Sequence, residues 1–291
     1  MAVLLCAAWL SVGCGKPSPS GVSLDRSIRE PSGLTASPQH AGVFWVHGDS
    51  GAGNWLFAVN REGERIARLR VKGAVNVDWE DITHDDQGNL WLGDIGNNDS
   101  GRRDLVVHRI PEPDPHAKLD RVHVDLSVRY SFPEQVQFGN KQANFDAESL
   151  LWWRDDLWLL TKHRSDDLTR LYRFPELSGA PVELEQVASF DLGPSLTGPR
   201  KPWSGQATAA EAAPNGEHWA LLSYDAIFVF ELPESGAGAE LFAKPVNRIA
   251  FDMDKTGQVE ALAWDGPALL VANEERHLFR IEDPLTAAHC P

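Results

Sequence analysis

Basic charge is scarce in this chain. It carries 27 lysines and arginines against 42 aspartates and glutamates, a formal net charge of −15. That balance disfavours nucleic acid or an anionic membrane surface as a partner, because neither a phosphate backbone nor a headgroup would be neutralised. It permits cation binding and keeps the molecule soluble. Apolar residues at sustained helical spacing are also missing, which excludes a fold built on long helices. Only 2 methionines accompany 11 tryptophans and 12 phenylalanines, and glycine and proline are scattered rather than blocked. Such a composition suits many short strands joined by tight turns. No phosphate-cradling Gly-Lys-Ser/Thr run, no Gly-x-Ser-x-Gly elbow and no His-Glu-x-x-His helix is present. The ten histidines show no metal-ligand spacing.

Cysteine is nearly absent too: Cys6, Cys14 and Cys290. Cys6 lies in the apolar run Ala2 to Leu10, too short to cross a bilayer and patterned like the apolar part of a signal peptide. Ser11-Val12-Gly13-Cys14 closes that run on small residues and resembles a bacterial lipobox. The resemblance implies a signal peptide over 1–13, lipidation of Cys14, and a tether over 14–21 rich in Lys, Pro, Ser and Gly. It further implies an extracytoplasmic protein, anchored in the periplasm or at the cell surface and touching membrane only through its lipid. Cys290 is then left alone, and no disulfide is expected.

What is present is a repeat. A polar or acidic residue, a small or acidic one and an apolar one recur as Ser32-Gly33-Leu34, Glu80-Asp81-Ile82, Glu148-Ser149-Leu150, Thr208-Ala209-Ala210 and Glu260-Ala261-Leu262. Each copy is followed by a turn, a strand-like run, a polar cluster and another strand-like run. Spacings of 48 to 68 residues lie close to the period of four-stranded propeller blades. The expected fold is an all-β, five-bladed β-propeller of four-stranded antiparallel blades, with six blades as the alternative. One domain spans 22–283, followed by a C-terminal tail over 284–291. Blade five shows only three runs, so residues 22–28 are expected to supply its outer strand and remove an exposed edge. The run Arg121 to Tyr130 reads as the last strand of blade two, and Val182 to Asp191 as that of blade three. Trp45, Trp91, Trp158 and Trp219 recur in the second strands and are expected to fill the space between blades.

Consecutive strands of a blade are antiparallel, so first-strand starts and second-strand ends share one side of the disc. That side gathers the five anchors together with His47-Gly48-Asp49-Ser50, Gly93-Asp94, Lys162-His163-Arg164, Ser223-Tyr224-Asp225 and Asn273-Glu274-Glu275. Glu80, Glu148 and Glu260, crowded near one axis, cannot all remain ionised without a cation. With the hydroxyls of Ser32 and Thr208 they form a hard-oxygen set suited to Ca2+. Two plainer readings stand beside it: the glutamates line a solvated channel or pair with Lys162 and Arg164, or the ion is a structural plug.

The order of these anchors resembles calcium-activated nucleotidases (apyrases), five-bladed propellers with calcium in the central tunnel. The segments Glu30-Pro31-Ser32-Gly33-Leu34, Trp79-Glu80-Asp81-Ile82 and Gly93-Asp94-Ile95-Gly96-Asn97-Asn98 resemble bacterial phytase-like propellers. The resemblance implies Ser32, Glu80, Glu148, Thr208 and Glu260 as calcium ligands. In an enzyme, Lys162, His163 and Arg164 would hold an anionic group, and Asp49, Asp94 or Glu274 would serve as base. The expectation is a metal-dependent hydrolase of a small phosphorylated or otherwise anionic molecule, acting as a monomer. A non-catalytic envelope scaffold and a lactonase-type propeller are the alternatives. Asp252-Met253-Asp254-Lys255-Thr256-Gly257 resembles the nucleophile motif of haloacid-dehalogenase-like phosphatases, but that chemistry needs a parallel sheet with alternating helices. The segment reads as a loop between blades four and five.

Overall fold

The computed structural model describes residues 22–141, 143–193, 201–243 and 245–287. Cys14 and the leader lie outside the described residues. Strand β1 (Val22–Ser23) opens the described chain. Blade one follows as β2 (Pro31–Ala36), β3 (Val43–Gly48), β4 (Trp55–Asn60) and β5 (Arg65–Lys72). Blade two begins with β6 (Trp79–His84), β7 (Asn89–Asp94) and β8 (Val106–Pro111); β9 (Arg121–His123) and β10 (Leu126–Ser131) come next. Blade three holds β11 (Asp146–Trp153), β12 (Asp156–Lys162) and β13 (Leu168–Arg173), followed by β14 (Val182–Glu183) and β15 (Glu185–Asp191). Blade four is β16 (Ala207–Ala212), β17 (His218–Ser223), β18 (Ala226–Glu231) and β19 (Asn247–Ala250). Blade five is β20 (Val259–Asp265), β21 (Ala268–Asn273) and β22 (His277–Ile281).

The first strands β2, β6, β11, β16 and β20 each contact the next, and β20 contacts β2, so five blades close a ring. Between blades the space is filled by apolar faces. Trp45, Trp91, Trp158 and Trp219 are all buried there, as expected, and their indole N–H groups find Glu112, Asp85, and the carbonyls of Trp153 and Leu241. Each large aromatic thus contributes burial without a stranded donor. Among the described residues no helix is long and apolar enough to cross a membrane. The Asp252–Gly257 segment is a connector between blades four and five, containing the one-turn helix α1 (Met253–Thr256) capped by Asp252.

Closure of the ring differs in detail from the expected form. β1 pairs antiparallel with β22, but only through Val22 and Ser23. The Asp25 carboxylate accepts from Ser27 N and turns the chain away, while Leu24 and Ile28 drop into the core between blades five and one. Two expected fourth strands are each shared between blades. After β9, Val124 N donates to Lys72 in blade one, whereas Asp125 N donates to Arg109 in blade two. β9 therefore adds a parallel fifth strand to blade one, and β10 completes blade two. β14 adds parallel to β10 in the same way, and β15 completes blade three. Blades one and two have five strands and the rest have four. These hand-overs cover two outer edges that would otherwise be exposed.

Candidate functional site

The inner strands share one irregularity, and it falls on the anchors. Pairing with the second strand skips between Pro31 and Gly33, Ala147 and Ser149, Ala207 and Ala209, and Val259 and Ala261. The residues skipped are Ser32, Glu148, Thr208 and Glu260. In blade two the skip spans Trp79 to Ile82 and takes in both Glu80 and Asp81. A bulge releases its residue from the ladder and re-aims the side chain. Five bulges at one level of the ring set five polar side chains at the mouth of the channel.

Four of the anchors, Ser32, Glu80, Glu148 and Glu260, join neighbouring polar side chains in two groups. In the first, Asp49, Asp78 and Glu80 offer carboxylate oxygens that all lie within 4.8 Å of one another. Ser32 Oγ donates to the Glu80 carbonyl at 2.7 Å and lies 3.4 Å from Glu80 Oε2. Burial raises Glu80 well above the carboxylate range, and Glu148, Asp49 and Asp78 raise it further. Burial also raises Asp49, and pushes Asp78 up to about 6 with help from Asp49 and Asp146. Such crowding favours protons or a cation. The loop after β7 covers the group: Ile95 N and Gly96 N both donate to the Asp78 carbonyl, at 3.2 and 3.1 Å. A Cβ on Gly96 would fall 2.1 Å from Glu80 Oε1 and 2.5 Å from Asp78 Oδ2, so any side chain there must push these carboxylates aside.

The second group is already neutralised. Lys162 Nζ lies 3.0 Å from Glu148 Oε1 and donates to Tyr224 OH at 2.8 Å; that hydroxyl donates to Glu260 Oε1 at 2.8 Å. Burial pushes Glu148 up to about 8 and Glu260 up to about 7, with the Lys162 ammonium opposing both. Burial works against the Lys162 charge, but Glu148, Tyr224 and Glu260 outweigh it and hold the ammonium protonated. Thr208 turns aside, its Oγ1 donating to the Val259 carbonyl at 3.0 Å.

The remaining expected residues take mixed places. Arg164 grips Asp146 through Nε, at 2.9 Å, and through Nη2, which also donates to Asn98. Asp94 pairs with Arg102 at 2.8 Å and accepts from the backbone amide of Asp78 at 3.1 Å, so it holds the acidic strand in place. His163 is buried and contributes its carbonyl to Gln206 Nε2. Glu274 is half-buried beside Gln258, and burial raises its carboxyl. A cleft of about 310 Å³ opens beside the second group, lined by Asn98, Lys162, Arg164, Trp203, Gln206, Tyr224, Met253 and Gln258.

Further along the inner strands, buried carboxylates tie the blades together. Asp81 accepts from Leu150 N at 2.8 Å in blade three and from Ala210 N at 3.4 Å in blade four. Glu211 of blade four accepts from Thr35 Oγ1 and from Ala36 N at 3.2 Å in blade one, and from Trp264 N at 2.6 Å in blade five. Burial pushes its carboxyl up to about 8.

Asp78, Asp146, Gln206 and Gln258 were not among the expected site residues, yet a signal for them exists. Each stands two places before an anchor, and Glu30 does so in blade one. This second polar ring, Glu30, Asp78, Asp146, Gln206 and Gln258, is as regular as the first.

No protein-family model and no curated protein matches the chain. Among solved structures it is similar to the PQQ-bound aldose sugar dehydrogenase of Streptomyces coelicolor, at 11% identity over 89% of this chain and 97% of that one, TM-score 0.44. A putative gluconolactonase aligns at 13% identity over 92% and 96%, TM-score 0.44. A putative 6-phosphogluconolactonase from Bacteroides uniformis aligns at 11% identity over 86% and 66%, TM-score 0.42. At these identities and scores the likenesses concern the propeller architecture and no more.

Proposed function

We propose that the chain is a cation-dependent hydrolytic propeller acting on a small polar ester at the channel mouth. The observation that carries this reading is the set of five bulges, which release the anchor residues from the strand ladder at one level of the ring. Asp49, Asp78 and Glu80, with Ser32, fit a calcium-type ion: all are hard oxygens, and burial together with the repulsion of neighbouring carboxylates raises the carboxyls. When bound, such an ion would polarise a substrate oxygen. The resemblance of the anchors to calcium-activated nucleotidases supports the same ion, with Glu148 and Glu260 committed to Lys162 and Tyr224 instead.

The chain's own residues assign the other roles. Trp203 and Met253 give the cleft an apolar wall; Asn98, Gln206 and Gln258 give it amides for hydroxyl groups. Glu274, half-buried and bonded to the cleft-lining Gln258, accepts the proton of an attacking water. Lys162 and Arg164 are spent on Glu148 and Asp146, so the cleft supplies little net positive charge for a phosphate. That favours a neutral hydroxylated ester such as a lactone over a phosphate ester. We place the protein outside the cytoplasm, on the lipobox-like Cys14. The test is metal analysis of purified protein with turnover of lactones and phosphate esters before and after chelation. Lactone turnover abolished by EDTA supports the reading.

A second reading draws on the closed Lys162–Glu148–Tyr224–Glu260 network, which leaves that half of the mouth self-compensated. A non-catalytic scaffold with a structural ion would lose melting temperature on chelation and turn over nothing.

A further inference from the structure

We propose that the flank of blade one is a docking surface for anionic phospholipid headgroups, formed by Arg68, Arg70, Lys72 and Arg121 around Trp55. Strand alternation builds it. Leu69 and Val71 turn into the core between blades one and two, so Arg68, Arg70 and Lys72 share the opposite face of β5. Their partners on β4 are aromatic, Phe57 opposite Arg68 and Trp55 opposite Arg70. The parallel strand β9 then sets Arg121 beside Arg70 and His123 beside Lys72. The guanidinium carbons of Arg68 and Arg70 lie 3.8 and 5.4 Å from the Trp55 ring centre.

The patch stands out because of what surrounds it. Several arginines of this acidic chain are matched, as Arg61 and Arg280 are to Asp265, Arg109 to Asp125 and Arg173 to Glu185, whereas Arg68 and Arg70 share one strand face on either side of an aromatic ring. Arg121 pairs with its neighbour Asp120. Among the described residues no carboxylate lies within 4.0 Å of the Arg68 or Arg70 guanidinium, and both are exposed. Two spare cations flanking an aromatic ring suit the headgroup level of a bilayer, where arginine meets phosphate and tryptophan sits in the interface. The −15 of the whole molecule is screened within about 8 Å at physiological salt, so the local patch governs contact.

The course of the chain selects a membrane over other polyanions. The described chain begins at Val22 on the outer edge of blade five and is tied at once to blade one: Asp25 N donates to Gly63 O at 3.0 Å, and Arg65 donates to Ser27 Oγ at 2.6 Å. On the lipidation reading, on which this choice of partner rests, Cys14 stands eight positions before Val22. That tether reaches at most about 28 Å, which holds the blade-one flank near the bilayer.

The experiment uses the full chain carrying Cys14→Ser, so that no lipid anchor contributes. Co-sedimentation is measured with phosphatidylcholine vesicles and with phosphatidylcholine–phosphatidylglycerol vesicles; any contribution of the apolar run Ala2 to Leu10 is common to both. The expected result is at least about tenfold stronger partitioning to the anionic vesicles, weakening as salt is raised. R68E/R70E should lose this preference and keep its melting temperature, and R68Q/R70Q provides a milder second variant. Equal partitioning to both vesicle types, or an undiminished preference in the variants, overturns the proposal. So does binding to a soluble polyphosphate without binding to anionic vesicles. Because the anchor is removed, failure here leaves the lipidation of Cys14 to its own mass-spectrometric test.

Discussion

Replacing Lys162 by methionine keeps the aliphatic stem and removes the ammonium that faces Glu148 and, through Tyr224, Glu260. The pair it breaks is buried, at 3.0 Å, and Lys162 also donates to Tyr224. Removing one partner of a buried ion pair costs about 3–5 kcal/mol, and here, among the described residues, only Arg164 Nη2, 3.8 Å from Glu148 Oε1, remains to compensate that carboxylate. For a domain of this size that lowers the melting temperature on the order of 10 °C. The cost should depend on pH with a definite sign. Glu148 is raised from the ordinary 4.5 to about 8, and Glu260 to about 7. A carboxyl raised on folding stabilises the folded state below its unfolded pKa, and that contribution is lost as pH rises through the folded value. Without Lys162 both carboxyls rise further, so the window of loss extends upward. The variant should therefore lie within about 1 kcal/mol of the parent near pH 5 and show the full deficit near pH 9. Urea unfolding at pH 5, 7 and 9 measures this directly. A deficit below about 1 kcal/mol at pH 9, or one independent of pH, would refute the argument that Lys162 compensates the glutamates.

Three further perturbations separate the parts of the site. Gly96→Ala pushes a methyl against Glu80 and Asp78, and should weaken calcium binding at least about tenfold by calorimetry while the far-ultraviolet dichroism stays unchanged. Glu211→Ala strands the amides of Ala36 and Trp264 between blades one, four and five, and should cost about 3–5 kcal/mol in denaturant unfolding. A smaller effect than about 1 kcal/mol would mean that Glu211 does not pin the ring. Trp203→Ala, at the cleft wall and partly exposed, should raise KM several-fold for whichever ester is turned over and leave the melting temperature in place. An unchanged KM would remove Trp203 from the binding wall.

The repeat was legible because each blade presents a polar anchor at the same level of the ring, and the tryptophans because the gaps between blades take large apolar fillers, two of which, Trp158 and Trp219, share the gap between blades three and four. The number of blades followed from the anchors. The strand hand-overs were not legible: nothing in Arg121 to Tyr130 marks the point where Val124 N and Asp125 N bond to different blades. Within the site, convergence of the anchors could be read, but their sorting could not. That sorting depends on Lys162 pairing with Glu148 in its own blade and reaching Tyr224 in the next, contacts without periodicity. Asp78 and Asp146 were readable in principle, as members of the polar ring two places before the anchors, yet their roles diverge. Asp146 meets Arg164, whereas Asp78 lies under Gly96 beside Glu80. The difference arises from which loop covers each, and loops carry no repeat.

The most direct test of the cation site is a crystal structure of the protein grown with calcium, with the ion located by its anomalous scattering. The account predicts one ion whose shell includes oxygens of Asp49, Asp78 and Glu80 at about 2.3–2.6 Å, with Lys162 still paired to Glu148. An ion bound by Glu148 and Glu260 with Lys162 displaced, or a channel mouth holding no ion at saturating calcium, would contradict it.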